Sequence, residues 1–445
     1  MMAWMKDIAP KVLLRLAVGV LVFFVANIWY VSSGLRNEER LKFSPVAGKL
    51  DSAFLHGDVV YLGESSNTSF NPWTDTFGYS VSEFLQMYLP QNRVRGVSHD
   101  GYHVGLFSQM LGLMPAHWSD SSRKTVVITV NMRSFGPSAM FNGNEASNQQ
   151  EAIFYSHRMA LLNRVFVSLH HYDNRDAKEM ERAKTQWFRT KDLRLNGGAG
   201  NHYGNTHGDG GLKPEGEVWY YHNTVKWWLR DLQRQYAPEF MKQKLGPVSG
   251  DADLARVMPM AEAYLKEFAF LLDEENPRVK ALDAIVEKCK REQVNVVFVL
   301  LMPNYDHANR LFGEELTQLM DYNMDFLRKR FAGWEKEYKQ GNFKVGYVDV
   351  PRAYGAWAGG EHYTDQWYPT EHVDAHIRQF IAKKTAEKIL AFQYIDRIQT
   401  GVTKPMVPEI KPSVNNLPNW SIKMPMADTC LATWNGFRGK HLRVF

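Results

Sequence analysis

At 445 residues, 44% of them hydrophobic and 13% aromatic, the chain has the composition of a folded protein, one large domain or two ordinary ones, and not that of a disordered segment. Its formal charge of +5 is small for this length and scattered, with no basic run interleaved with aromatics, which argues against a nucleic-acid partner. The two cysteines, Cys289 and Cys430, stand in no metal or redox spacing and give no reason to assume a disulfide.

The first element along the chain is VLLRLAVGVLVFFVANIWYV, residues 12–31, about the length that spans a hydrocarbon core as a helix. Trp29 and Tyr30 stand at its far end, where aromatic rings favour the membrane interface. Lys6, Lys11 and Arg15 precede or enter it, whereas Arg36, Glu38, Glu39, Arg40 and Lys42 beyond it are mixed in sign. That asymmetry predicts a cytoplasmic N-terminus over 1–11, a single-pass anchor over 12–32 in the inner (cytoplasmic) membrane, and the bulk of the chain on the extracytoplasmic or periplasmic side. No small-residue cleavage site follows, so the anchor is expected to stay attached.

Five buried strands come next: DVVYLG (58–63), NRVRGVS (92–98), KTVVITVN (124–131), VNVVFVLLMP (294–303) and FKVGYVDV (343–350). Such continuous apolar runs suit a parallel sheet covered on both faces. Helical patterns separate them: SVSEFLQMYL places Val81, Phe84, Leu85 and Leu89 on one side, and VKALDAIVEKCKREQ puts Cys289 on an apolar face as a small core residue. Alternation of this kind predicts an α/β doubly wound fold, with the ordered domain over 45–398. The roughly 160 residues between strands three and four are too many for one crossover, so a large helical insertion is expected at about 137–275. It carries a glycine-rich loop and the aromatic helix pattern around Trp227 and Trp228, which read as core before they read as a sugar platform. The proline-punctuated end, 399–445, reads as an extended tail.

Open parallel sheets bind ligands beyond the carboxyl ends of their strands. Gly63-Glu64-Ser65-Ser66 stands there after strand one, Ser98-His99-Asp100-Gly101 after strand two and Asn131-Met132-Arg133-Ser134 after strand three. The stretch EHYTDQWYPTEHVDAHIRQFIAKKTAEKIL (361–390) leads into the last helix. A serine, an amide, turns rich in backbone donors and histidines beside acids are the parts of acyl transfer: nucleophile, oxyanion donors and general base. The spacings of His99, His103, His170, His171, His202 and His207 match no metal site. Arg133 reads either as a hold for an anionic substrate or as a surface pair.

The pattern resembles the SGNH (GDSL-type) hydrolase superfamily, over strands one to five and the closing helix. Gly63-Glu64-Ser65 resembles its Gly-Asp-Ser turn, with Glu in place of Asp. Asn131 stands where its third block carries Asn. The resemblance implies a flavodoxin-like three-layer SGNH fold, with Ser65 as nucleophile (Ser66 as the alternative) and Asn131 and Gly101 as oxyanion donors, although His99 takes the glycine's most natural position. It implies a base at His372, with His376 as rival, because Asp374 then caps the last helix. Pro369 occupies the usual position of the orienting acid, which leaves Asp365, with Glu371 as rival, or a Ser–His dyad. No cofactor or metal is needed. Membrane-anchored proteins of this layout resemble the D-alanine transfer proteins of teichoic-acid modification and the extracytoplasmic partners in polysaccharide O-acetylation. The resemblance therefore implies an O-acyltransferase or esterase on a cell-envelope or exported polysaccharide, with a multi-spanning membrane O-acyltransferase as partner. The rival expectation is a catalytically silent scaffold that binds glycan or such a partner.

Overall fold

The computed structural model describes residues 2–70, 77–115, 124–136, 272–312, 314–339, 341–355, 359–364 and 369–397, together with Asp75 and single positions between 118 and 270. Most of the insertion expected at 137–275, including the glycine-rich loop, Trp227 and Trp228, lies outside the described residues, as do Asp365, Cys430 and the 399–445 tail.

The chain opens with α1 (Met2–Ser32), whose stretch Lys11–Ser32 is long and apolar enough to cross a membrane. Gly34, at φ 87° where a side chain would be strained, turns the chain into α2 (Leu35–Phe43), and α3 (Ala47–His56) follows. Then come β1 (Val59–Gly63), α4 (Val81–Tyr88), β2 (Val94–Ser98), α5 (Val104–Met110) and β3 (Thr125–Val130). After the insertion the chain continues through α6 (Pro277–Arg291), β4 (Asn295–Leu300), α7 (Tyr305–Phe312), α8 (Glu314–Glu337), β5 (Val345–Asp349), α9 (Val350–Tyr354) and α10 (Ala375–Arg397).

The strands form one five-stranded sheet in the order β2-β1-β3-β4-β5, every pair parallel. β1, β3 and β4 are buried along their whole length, the burial their unbroken apolar sequences require. Val60, Leu62, Val126, Ile128, Val296 and Phe298 face one layer, where α3, α5, α6 and α8 contribute Phe54, Phe107, Leu282 and Phe331. Val59, Tyr61, Val127, Val297 and Val348 face the other, against Phe84 and Leu85 of α4 and Ile377, Ile381 and Ile389 of α10. Cys289 lies fully buried in the first layer, and burial pushes its thiol up to about 12, so it packs as a hydrophobe.

The order reverses direction at β1, which lies between β2 and β3, so a crevice opens beyond the carboxyl ends of β1 and β3. The residues after those two strands are Glu64-Ser65 and Asn131.

Candidate active site

Three tethers shape the turn after β1. A Cβ on Gly63 would come within 2.8 Å of the Tyr61 ring and 3.2 Å of the Asn67 Cβ, so the close approach demands glycine. Asn67, nearly fully buried, donates to the Ser82 hydroxyl at 3.2 Å and the Ser98 hydroxyl at 3.0 Å, and accepts the Ser82 N–H at 2.9 Å. One amide therefore ties the turn to α4 and β2. In the resulting one-turn helix, Ser65–Asn67, Ser65 stays partly exposed while Ser66 is buried, which disfavours Ser66 as a nucleophile.

The opposite wall is a loop folded back on itself. Tyr363 and Val373 form an antiparallel bridge, the Thr364 N–H donates to the His372 carbonyl at 2.9 Å, and the Asp374 N–H donates to the His362 carbonyl at 2.8 Å. The Tyr363 hydroxyl donates to the Pro303 carbonyl at 2.7 Å, which seats this loop over the end of β4. Asp374 caps α10 by accepting the Ile377 N–H at 2.9 Å.

These two walls bring the Ser65 hydroxyl to 2.8 Å from His372 Nε2. Glu64 Oε2 lies 3.3 Å from the same hydroxyl, which has a single proton to give, and the shorter contact is to the imidazole. A neutral His372 that accepts this hydrogen bond at Nε2 carries its own hydrogen on Nδ1. His376 is exposed on α10 and stacks on His362, whose Nδ1 lies 2.8 Å from Asp374. Of the two candidate bases, His372 is the one that meets a serine among the described residues.

Asn131 is buried at the end of β3. Its side-chain oxygen accepts the Arg133 N–H at 3.1 Å and its amide nitrogen donates to Glu371 Oε2 at 2.7 Å. A second amide hydrogen remains to be directed elsewhere. Arg133 Nε donates to the same Glu371 oxygen at 2.8 Å. Glu371, the rival for orienting His372, is therefore engaged with Asn131 and Arg133 instead. Arg133 in turn meets a buried carboxylate and not the surface partner that was one of its two expected readings.

Glu371 is 1% exposed, and its Oε1 accepts no hydrogen bond among the described residues, nor does Oε1 of the equally buried Glu64. Burial pushes the Glu371 carboxyl up to about 7, with Glu64 adding to the effect and Arg133 opposing it. For Arg133, burial works against the charge, but Glu371, Glu267 and Glu64 outweigh it and hold the guanidinium charged. The residues preceding the serine and the histidine thus form a buried acidic floor closed by one arginine.

Arg378 is the residue that pattern reading missed. It is fully buried and donates to the carbonyls of Val373 at 2.7 Å, Phe77 at 3.0 Å and Tyr79 at 3.0 Å, to that of Ser69, and to Asp75 Oδ2 at 3.0 Å. Asp75 also accepts the Ala375 N–H. The start of α10, next to His372, is thereby locked to the segment that follows the serine turn. An arginine four residues past a helix cap reads as a surface charge in the sequence, and no local signal marks it otherwise.

Gly101 sits in a left-handed turn at φ 76°, and its carbonyl accepts from Asn148 at 2.8 Å. Among the described residues no hydrogen bond joins it to Ser65, His372 or Asn131. His99 is exposed, and His103 caps α5 by accepting the Gly105 N–H at 3.1 Å. Among the described residues no three His, Cys, Asp or Glu side chains gather as a metal site would need. No protein-family model matches the chain, and no curated protein matches it.

Proposed function

We propose that the chain is a membrane-anchored serine acyltransferase or esterase of the SGNH type, acting on a cell-envelope or exported polysaccharide. The observation that carries the reading is the 2.8 Å contact between Ser65 Oγ and His372 Nε2 at the carboxyl edge of the sheet. In this reading Ser65 Oγ attacks an acyl carbonyl carbon while its proton passes to His372 Nε2. Asn131 offers its remaining amide hydrogen to the oxyanion as it forms. His372 then protonates the departing alcohol, leaving an acyl-Ser65 ester. A sugar hydroxyl or water, deprotonated by the same histidine, attacks the ester carbon, the bond to Ser65 Oγ breaks, and His372 gives the proton to the departing serine oxygen. The apolar helix at the N-terminus supports placement at a membrane, where a polymer acceptor or a multi-spanning acyl donor could be met.

The test is covalent labelling by a fluorophosphonate, with intact mass read for the wild type and for Ser65→Ala. Product analysis with and without an oligosaccharide acceptor then separates transfer from hydrolysis. A second reading, a silent scaffold of the same fold, draws on the engagement of Glu371 with Asn131 and Arg133, which commits one Asn131 amide hydrogen to a carboxylate and not to an oxyanion. A folded protein that takes no label would favour it.

A further inference from the structure

The end of α1 is not a free leash. Leu21, Val22, Phe24, Val25, Ile28 and Trp29 are exposed, whereas Phe23, Ala26, Asn27 and Tyr30, one stripe at helical spacing, are partly or wholly covered. Part of that cover is the segment around residues 160–165: the Leu161 N–H donates to Asn27 Oδ1 at 2.9 Å. Asn27 lies five residues before the end of the apolar stretch at Ser32, or about 7–8 Å at 1.5 Å per residue. If α1 spans a bilayer, Leu161 sits at a depth belonging to the bilayer and not to bulk water. An asparagine there is costly unless its side chain is satisfied, and the Leu161 N–H satisfies its oxygen.

The neighbouring α2 buries an arginine and exposes apolar side chains. Arg40 is 6% exposed and donates to Asp51 Oδ1 at 2.9 Å, while Leu35, Leu41 and Phe43 are 37%, 47% and 37% exposed. Val165, 38% exposed, belongs to the same surface: Phe43 stacks on Phe154 at 5.1 Å, and the Arg164 guanidinium lies over Phe43 at 5.7 Å. Several polar groups of this region are engaged with the domain, while Asn37, Glu38 and Lys42 stay exposed. Arg164 donates to Glu39 at 2.8 Å, Tyr30 donates to the same carboxylate, and Arg36 donates to the Phe154 carbonyl at 3.0 Å. Apolar side chains facing out beside an apolar span, with Arg40 turned inward and Glu38 and Lys42 left at the surface, is the pattern of a surface at the boundary of lipid and headgroups.

We infer that α2 and the segment around 160–165 form a lipid-facing collar that seats the domain on the bilayer in one fixed orientation, in addition to the span itself. The inference rests on the reading of α1 as a membrane span and is independent of the chemistry at Ser65. Its test uses the full chain reconstituted in phospholipid vesicles and a lipid-partitioning diazirine that generates a carbene on illumination. Tryptic peptides 165–175 (VFVSLHHYDNR) and 43–49 (FSPVAGK) should carry adducts, as should the span peptide 16–36, while the core peptide 281–288 (ALDAIVEK) should not. Adducts on 16–36 without adducts on the collar peptides would overturn the collar and leave the span standing. No adducts on 16–36 would remove the span and the collar with it. Nitroxide labels at Leu41→Cys and Val165→Cys, in a Cys430→Ser background, give the second readout. Lipid contact predicts collision with oxygen and protection from a water-soluble nickel chelate. Free access of the chelate would place the collar in water, and protection from both would place it under protein, and either result refutes the inference.

Discussion

Replacing Glu371 by glutamine tests whether the buried acidic floor is balanced as the geometry says. The folded protein holds this carboxyl at about 7, against an ordinary value of 4.5. Because the folded value is the higher one, the native state keeps its proton over a range where the unfolded chain has lost it. The group's stabilising contribution is therefore complete below pH 4.5, declines as pH rises, and is lost once pH passes about 7. At about 1.4 kcal/mol per pKa unit the full effect is roughly 3 kcal/mol, of which about 2–3 kcal/mol falls between pH 5 and 8. No discount for solvent screening applies, since the side chain is 1% exposed. Glutamine keeps the shape and one acceptor for Asn131 and Arg133 but does not titrate. Urea denaturation of the full chain in detergent, run from pH 5 to pH 8, should show wild type losing stability relative to Glu371→Gln by that amount. His307, which burial pushes down to about 4, loses its own contribution as pH falls from 6.5 towards that value, but it is common to both proteins and cancels in the difference. Two parallel stability–pH curves would refute the reasoning, because they would mean the Glu371 carboxyl titrates alike in the folded and unfolded states.

Other consequences concern the residues around this floor. His372→Ala should slow fluorophosphonate labelling of Ser65 by about 10²–10⁴-fold without changing the melting curve by more than a few degrees; an unchanged rate would remove His372 as the base. Asn131→Ala should lower the acylation rate by about 10²–10³-fold if its free amide hydrogen meets the oxyanion, and a normal rate in a folded variant would take Asn131 out of that role. Arg378→Lys leaves several acceptors and Asp75 without their donors, and should cost about 3–5 kcal/mol by urea denaturation together with a loss of labelling. A loss under 1 kcal/mol would show that the clamp does not hold α10 to the serine turn.

Strands were legible because burial on both faces leaves an unambiguous mark, and the runs at 58–63 and 124–131 became strands trimmed by a residue or two. Asp374 was legible as the cap of α10 because a cap is a local device with a local spacing. Glu371 was not, in its role as partner: Asn131 is 240 residues away, and nothing in either neighbourhood says that they meet. The same holds for Arg378, whose Tyr79 acceptor lies 299 residues before it. Position favoured His372 over His376, four residues apart at a helix start, through the Asp374 cap, but it aimed neither ring at a serine. The backward fold of the loop chooses, by pairing 362–364 with 372–374 and aiming one ring at Ser65.

The most direct test of the central claim is intact mass of the full chain after fluorophosphonate treatment, beside Ser65→Ala under the same conditions. The account predicts one adduct on the wild type and none on the variant. A wild-type protein that is folded and remains unmodified would contradict it.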